Sequence, residues 1–270
     1  IKGIISYASK RYVTIIPEID IPGHTSSMIA AYPELGSSKE NIGVKTLWGV
    51  QNDILNINEN TFEFLENMFS EIIDLFPSKY IHIGGDEARK DQWKNSNTIQ
   101  NQMKELGLKD ENELQSYFIK RVEKFINSKG KKIIGWDEII DGGLAPNATV
   151  MSWRGEEGAI HAAKSGHEAI MSPTSHCYFD YYQDKPINEP LAIGGLIPLK
   201  KVYLYEPIPQ GLSNEESKKI LGAQGNLWTE YIKEPKDVEY MIIPRMTALS
   251  EVVWSPRKLR NLDEFKKRLK

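Results

Sequence analysis

Apolar residues along the chain fall into two periods. Short apolar or alternating runs predict strands at residues 12–17, 80–84, 132–136, 149–153, 168–171 and 222–228. Between them, residues 61–76 place Phe62, Leu65, Met68, Phe69, Ile72, Ile73 and Phe76 on a helical stripe. Residues 113–127 do the same with Leu114, Tyr117, Phe118, Val122, Phe125 and Ile126, and residues 237–254 predict a further, mostly apolar helix. At the start, Ile1, Ile4, Ile5 and Ala8 are in helical phase and feed the first strand. Strands alternating with helices imply a parallel sheet with helical crossovers, an α/β architecture. No repeat, low-complexity tract or linker interrupts residues 1–270, so one domain is expected.

Two connections are long, residues 18–60 and 173–221. Each follows a predicted strand and so leaves a C-terminal strand end, where barrel active sites lie. The strand tips carry the candidate chemistry. Alternation along residues 80–87 puts Ile81 and Ile83 on one face and His82, Gly84 and Asp86 on the other, with Glu87 able to turn in beside Asp86 after Gly84-Gly85. Two adjacent carboxylates raise one another's pKa. A protonated Glu beside an ionised Asp is equipment for general acid catalysis. The competing reading is a solvated acid pair opening a helix.

Other tips repeat the theme. Trp136 is followed by Asp137 and Glu138, Trp153 by Arg154, and Gln224, Asn226, Trp228 and Glu230 share one face of the last predicted strand. Three tryptophans at corresponding tips, each near an acid or amide, point to a sugar site, because pyranose C–H faces stack on indoles while carboxylates bind hydroxyls. His24, His82, Asp20 and Glu18 contain no HxH or HExxH spacing, so no catalytic metal is expected.

Composition narrows the partners. A net charge of -3 offers no basic footprint for nucleic acid. No apolar run approaches the ~18 residues of a membrane span. Cys177 is the only cysteine, which excludes an intramolecular disulfide or a thiolate cluster, and it reads as a small buried hydrophobe.

Several segments closely resemble the catalytic domain of family 20 glycoside hydrolases, the β-N-acetylhexosaminidases. They are PEIDIPGH (17–24), AYPEL (31–35), HIGGDE (82–87), GWDE (135–138), MSWRG (151–155), YFD (178–180) and GNLWTE (225–230), in family order. The resemblance implies a (β/α)8 TIM barrel and retaining exo-hydrolysis of terminal β-linked N-acetylglucosamine or N-acetylgalactosamine, without a cofactor. In this family the substrate's 2-acetamido oxygen is the nucleophile. It implies that Glu87 is the general acid and then base, and that Asp86 binds the acetamido N–H and stabilises the oxazolinium. Tyr178 donates to the acetamido oxygen, and His24 belongs to the charge network supporting Glu87. Trp136, Trp153 and Trp228 line the pocket, and Asp180 and Glu230 bind outer hydroxyls.

The resemblance also implies two earlier strands, bearing an Arg for sugar hydroxyls and an Asp partner for His24. The six predicted strands correspond to strands 3 to 8 of an incomplete barrel, with a missing N-terminal segment supplied in cis or trans. N-acetylhexosamine-containing glycans are the expected partners, and an exported setting (periplasmic, extracellular or lysosomal) is implied. The alternatives are a non-catalytic sugar-binding or inactive barrel fragment and, from the acid and histidine cluster, a metal-dependent hydrolase.

Overall fold

The computed structural model describes every residue except Lys39, Asn41 and Lys270. The chain divides into two compact units, Ile1–Val150 and Met151–Lys270.

In the first unit, helix α1 (Lys2–Ser9) leads to an extended stretch, helix α2 (Ser26–Ala31) and helix α3 (Glu59–Leu75). Strand β1 (Tyr80–His82) follows, then helices α4 (Asp91–Asn95), α5 (Asn97–Glu105) and α6 (Glu111–Ser128), and strand β2 (Lys132–Trp136). β1 and β2 pair in parallel, Tyr80 opposite Lys132 and His82 opposite Ile134. The two long predicted helices form one to two residues longer at each end than their apolar stripes, except for the earlier finish of α3. The extra N-terminal turns come from caps: Asn58 accepts from the Thr61 N–H at 2.9 Å, and Asp110 accepts from the N–H groups of Asn112 and Glu113. Phe62 of α3 packs on Phe118 of α6 with ring centroids 5.2 Å apart. Arg121 covers the Phe62 ring and binds both oxygens of Glu59, at 2.6 and 2.9 Å.

Strand β3 (Thr149–Ser152) carries the chain into the second unit. There, helix α7 (Glu157–Lys164), strand β4 (Ala169–Met171), helices α8 (Leu199–Tyr203) and α9 (Asn214–Ser217) and strand β5 (Ile220–Ala223) follow in turn. Helices α10 (Pro235–Ile242), α11 (Arg245–Trp254) and α12 (Leu262–Arg268) complete it. β4 and β5 are parallel, and α7 buries its small residues Ala159, Ala162 and Ala163. Parallel pairing with helical connections is the α/β class that the periodicity implied.

Three expectations need correction. Residues 12–17 form no strand. Pairing is displaced to residues 17–21, where Glu18 bridges His82 in parallel, and the N–H groups of Ile19 and Ile21 donate to His82 and Ile83. Pro17 has no N–H and only accepts, from His82. The last strand starts at Ile220 and ends at Ala223, with a register shift opposite Ala169 and Ile170; beyond its end the chain pairs elsewhere, Asn226 bridging Tyr178. The single helix expected at 237–254 is two helices, because Pro244 can neither donate in the helical ladder nor fit inside it.

Among the described residues, no helix is long and apolar enough to cross a membrane.

Candidate active site

In the first unit, the site is built where residues 17–24 run beside β1. The Gly84 carbonyl accepts from the Trp136 N–H at 2.8 Å, which carries β1's hydrogen bonding on to β2 beyond the regular ladder. Gly84 (φ 64) and Gly85 (φ 94) then turn the chain. A side chain at Gly84 would place Cβ 1.9 Å from Asp20 Oδ1, so glycine is what lets Asp20 lie over the turn. The Gly85 N–H donates to Asp20 Oδ1 at 3.0 Å, and its carbonyl accepts from buried Gln115 of α6 at 2.7 Å.

The turn delivers Asp86 and Glu87 to one imidazole. His24 Nε2 lies 3.5 Å from Asp86 Oδ2 and 3.4 Å from Glu87 Oε2. Both His24 (φ 54) and Glu87 (φ 48) have left-handed backbones, which cost a non-glycine residue of the order of 1 kcal/mol. Non-glycine residues in this conformation collect at functional sites, where surrounding structure holds them.

The acids are not equivalent. Burial, then the neighbouring Asp86 charge, drives the Asp20 carboxyl well above the usual carboxylate range. Asp86 ends below its usual value. Burial pushes it up, but hydrogen bonds from His24 and Asp20 more than offset that. Two carboxyls in contact need a proton between them, and here it resides on Asp20. Of these two carboxyls, Asp20 is the raised one and Asp86 the lowered one. His24 is raised above 6.5, chiefly by its hydrogen bond to Asp86. No N–H of the described residues reaches Asp86 Oδ1, which is buried. Asp20, His24 and Asp86 each offer an atom within 4.8 Å of the others, so they could also hold a metal ion. A raised imidazole pKa disfavours that use, since a metal ligand must be deprotonated.

Trp136 is 2% exposed. Its indole N–H donates to Glu18 Oε1 at 2.9 Å, and the His82 ring meets it edge-on with centroids 4.9 Å apart. Asp137, beside it, is buried in the turn that ends at Ile140.

In the second unit, Tyr178 packs against Trp153, ring centroids 6.3 Å apart, and against Tyr181 at 5.6 Å. Its backbone lies beside Asn226: the Phe179 N–H donates to the Asn226 carbonyl at 2.6 Å and the Asn226 N–H to that of Cys177 at 2.7 Å. Gly225 permits this approach, since a Cβ there would lie 2.4 Å from the Phe179 ring. Asp180, Trp228 and Glu230 line a cleft of about 490 Å³ with Leu191, Ile193 and Tyr240. Asp180 is 4% exposed, with Oδ1 buried and unpartnered. Burial, and next in the same direction Glu230, push its carboxyl up to about 6. Beneath it, buried Arg245 donates to the carbonyls of Phe179 at 2.5 Å and Tyr181 at 2.9 Å, pinning both neighbours of Asp180. Cys177 is buried, as expected, which pushes its thiol up to about 12.

Thus Asp86, Glu87, His24 and Trp136 lie in one unit, and Trp153, Tyr178, Asp180, Trp228 and Glu230 in the other. Sequence reading missed Glu18, Asp20 and Gln115 as site builders and Arg245 as their counterpart in the second unit. For the first two, the signal was present: they lie inside the PEIDIPGH segment.

A parallel α/β chain whose strand ends carry acids, an imidazole and exposed or half-buried aromatics has the make-up of a carbohydrate-processing domain. Residues 1–257 match the Glycosyl hydrolase family 20, catalytic domain, and the chain belongs to that family. A β-hexosaminidase of Porphyromonas gingivalis is 46% identical over the whole chain, and one of Vibrio furnissii is 37% identical over 93% of it. The chain spans 35% and 42% of those two proteins. A solved β-N-acetylhexosaminidase superposes with a TM-score of 0.91 at 27% identity, covering 99% of this chain and 58% of that one. A Vibrio harveyi exo β-N-acetylglucosaminidase, solved with N-acetylglucosamine, gives 0.87 at 32% identity, covering 99% and 43%. The fold is accordingly the α/β barrel class of that family.

Proposed function

We propose that the protein removes terminal β-linked N-acetylglucosamine or N-acetylgalactosamine from glycans, with retention, using the substrate's own acetamido group as nucleophile. Residues 1–270 supply strands 3 to 8 of its catalytic barrel. Glu87 gives a proton to the departing glycosidic oxygen while the acetamido carbonyl oxygen closes on the anomeric carbon. Asp86, ionised, accepts the acetamido N–H and offsets the positive charge of the oxazolinium. Glu87, now a carboxylate, takes a proton from water as that water opens the ring from the same face. Tyr178 donates to the acetamido oxygen, Trp136, Trp153 and Trp228 wall the sugar, and Asp180 and Glu230 take its outer hydroxyls. His24 ties Glu87 and Asp86 into one charge network.

The observation that carries this reading is the division of labour between acids. Asp86 is held ionised, with a buried oxygen that no N–H of the described residues reaches, while Asp20 carries the proton. Such an oxygen suits an amide N–H supplied by the substrate. No carboxylate needs to stand across the ring as a protein nucleophile.

The test is hydrolysis of an aryl β-N-acetylglucosaminide. Glu87→Gln should lower turnover about 10²–10⁴-fold, the usual contribution of a positioned acid/base. Asp86→Asn should harm acetamido substrates far more than any residual glucosidase activity. Unchanged turnover in Glu87→Gln refutes the assignment, and equal losses in Asp86→Asn on both substrates refute substrate assistance.

A further inference from the structure

We infer that Glu18 is a positioning residue: its carboxylate fixes the rotation of the Trp136 indole and thereby sets which N-acyl group the site accepts. This deepens the reading of Trp136 as a wall of the acetamido pocket and rests on it.

Glu18 and Trp136 are 118 positions apart and meet because residues 17–21 pair with β1 while β1 pairs with β2. The indole N–H donates to Glu18 Oε1 at 2.9 Å. The same oxygen lies 3.1 Å from His82 Nδ1. That second contact is ambiguous, because the Gly84 N–H also points at Nδ1, at 3.1 Å. If Nδ1 accepts from Gly84, it turns a lone pair to Glu18. If Nδ1 donates to Glu18, it opposes the Gly84 N–H. The firm partner of Glu18 is therefore the indole.

An indole is a flat plate with one polar handle. Its burial against the His82 edge limits translation, but rotation about the ring axis is set where the N–H is held. A carboxylate acceptor gives a shorter and stronger bond than a neutral one. Glu18 is itself part-exposed, with 36% of its side chain accessible. The wall of a pocket that must seat an acetyl methyl, and bring the acetamido oxygen to the anomeric carbon, tolerates little rotation.

The experiment uses Glu18→Leu, which fills similar volume without an acceptor, and Glu18→Gln, which keeps a neutral one. Two aryl β-glycosides are compared, one bearing 2-acetamido and one 2-butanamido, alongside the Trp136 indole N–H resonance, assigned through its loss in Trp136→Phe. Glu18→Leu should move that resonance upfield and lower the acetamido-over-butanamido ratio of kcat/KM about tenfold or more, mainly through kcat on the acetamido substrate. Glu18→Gln should restore most of the ratio. An unmoved resonance in Glu18→Leu, equal losses on both glycosides, or a Gln variant no better than Leu overturns the inference. If the wild-type protein hydrolyses neither glycoside, it is the hydrolase reading that fails, and the indole resonance still decides whether Glu18 holds Trp136.

Discussion

Asp180→Asn should stabilise the protein in a pH-dependent way while abolishing sugar binding at the cleft. Asp180 is 4% exposed, its Oδ1 has no hydrogen bond, and its carboxyl is raised to about 6, first by burial and then by Glu230. From an ordinary value of 3.8, that is a rise of about two pH units, worth roughly 3 kcal/mol at 1.36 kcal/mol per unit. The sign follows from proton counting. Below about pH 4, folded and unfolded chains both hold the proton. Between about pH 4 and 6 the unfolded chain releases it and the folded chain does not, so stability falls as pH rises, and above pH 7 the whole penalty is present. Asparagine is neutral throughout and escapes this window. Its amide also needs acceptors, which costs about 1 kcal/mol at every pH. The robust quantity is therefore the swing. The stability of Asp180→Asn relative to wild type should rise by roughly 2–3 kcal/mol between pH 4 and pH 7.5, measured by urea unfolding at both values. A difference that is independent of pH, or that falls, refutes the reasoning.

Other outcomes follow from the same geometry. Gly84→Ala forces a side chain into a left-handed position, about 1 kcal/mol, and drives Asp20 off Asp86. Turnover should fall about 10²-fold or more while the circular dichroism spectrum is retained, and near wild-type turnover would show that Asp20 is idle. His24→Ala should destabilise more at pH 6 than at pH 9. The raised imidazole contributes its stability below its ordinary value of 6.5 and loses it as pH rises through the folded value, so equal destabilisation at both pH values contradicts the His24–Asp86 contact. Arg245→Met leaves buried carbonyls of Phe179, Tyr181, Ile197 and Met241 without their donor. It should cost roughly 3–5 kcal/mol in denaturant unfolding, and a loss below 1 kcal/mol would mean those carbonyls find other partners.

Much of the fold was legible because its elements are local. β2 forms at the predicted residues, and α3 and α6 follow apolar stripes whose period needs no tertiary information. The errors arise where pairing or a proline decides. Residues 12–17 are rich in β-branched and aromatic side chains, yet the partner strand takes residues 17–21. Pro244 was visible in the sequence, but the apolar run on either side of it masked the break. At the site, acids and aromatics at strand ends were readable by type and spacing. Which acid holds the proton was not, because that depends on the contact of Asp20 with Asp86 across 66 positions and on the glycine turn that admits it. Arg245 was hidden for the converse reason: an arginine in an apolar helix reads as a surface residue unless the carbonyls it serves are known.

The two units leave their buried acids in opposite electrostatic states. In the first, Asp86 must stay ionised while part-buried, and the structure supplies two donors, His24 and the proton of Asp20, with Gly84 and Gly85 making room for the latter. In the second, Asp180 is helped less: its own N–H, that of Trp228 and the Arg245 charge pull its carboxyl down, but burial together with Glu230 outweighs them and holds it up at about 6. An ionised acid with every lone pair satisfied by protein has little left for a ligand. One whose oxygen is buried and unpartnered gains on binding what it loses in the empty state. Under the proposed function, the Asp180 penalty would be a store of binding free energy for sugar hydroxyls, and the open Oδ1 of Asp86 would serve an amide N–H. On this account, ligand binding should shift Asp180 downward in pKa, so a sugar that reaches it should bind more tightly as pH rises from 5 to 7, by up to about tenfold in all, with the gain levelling off above about pH 6. Affinity that is flat across that range would separate Asp180 from the hydroxyls it is proposed to hold.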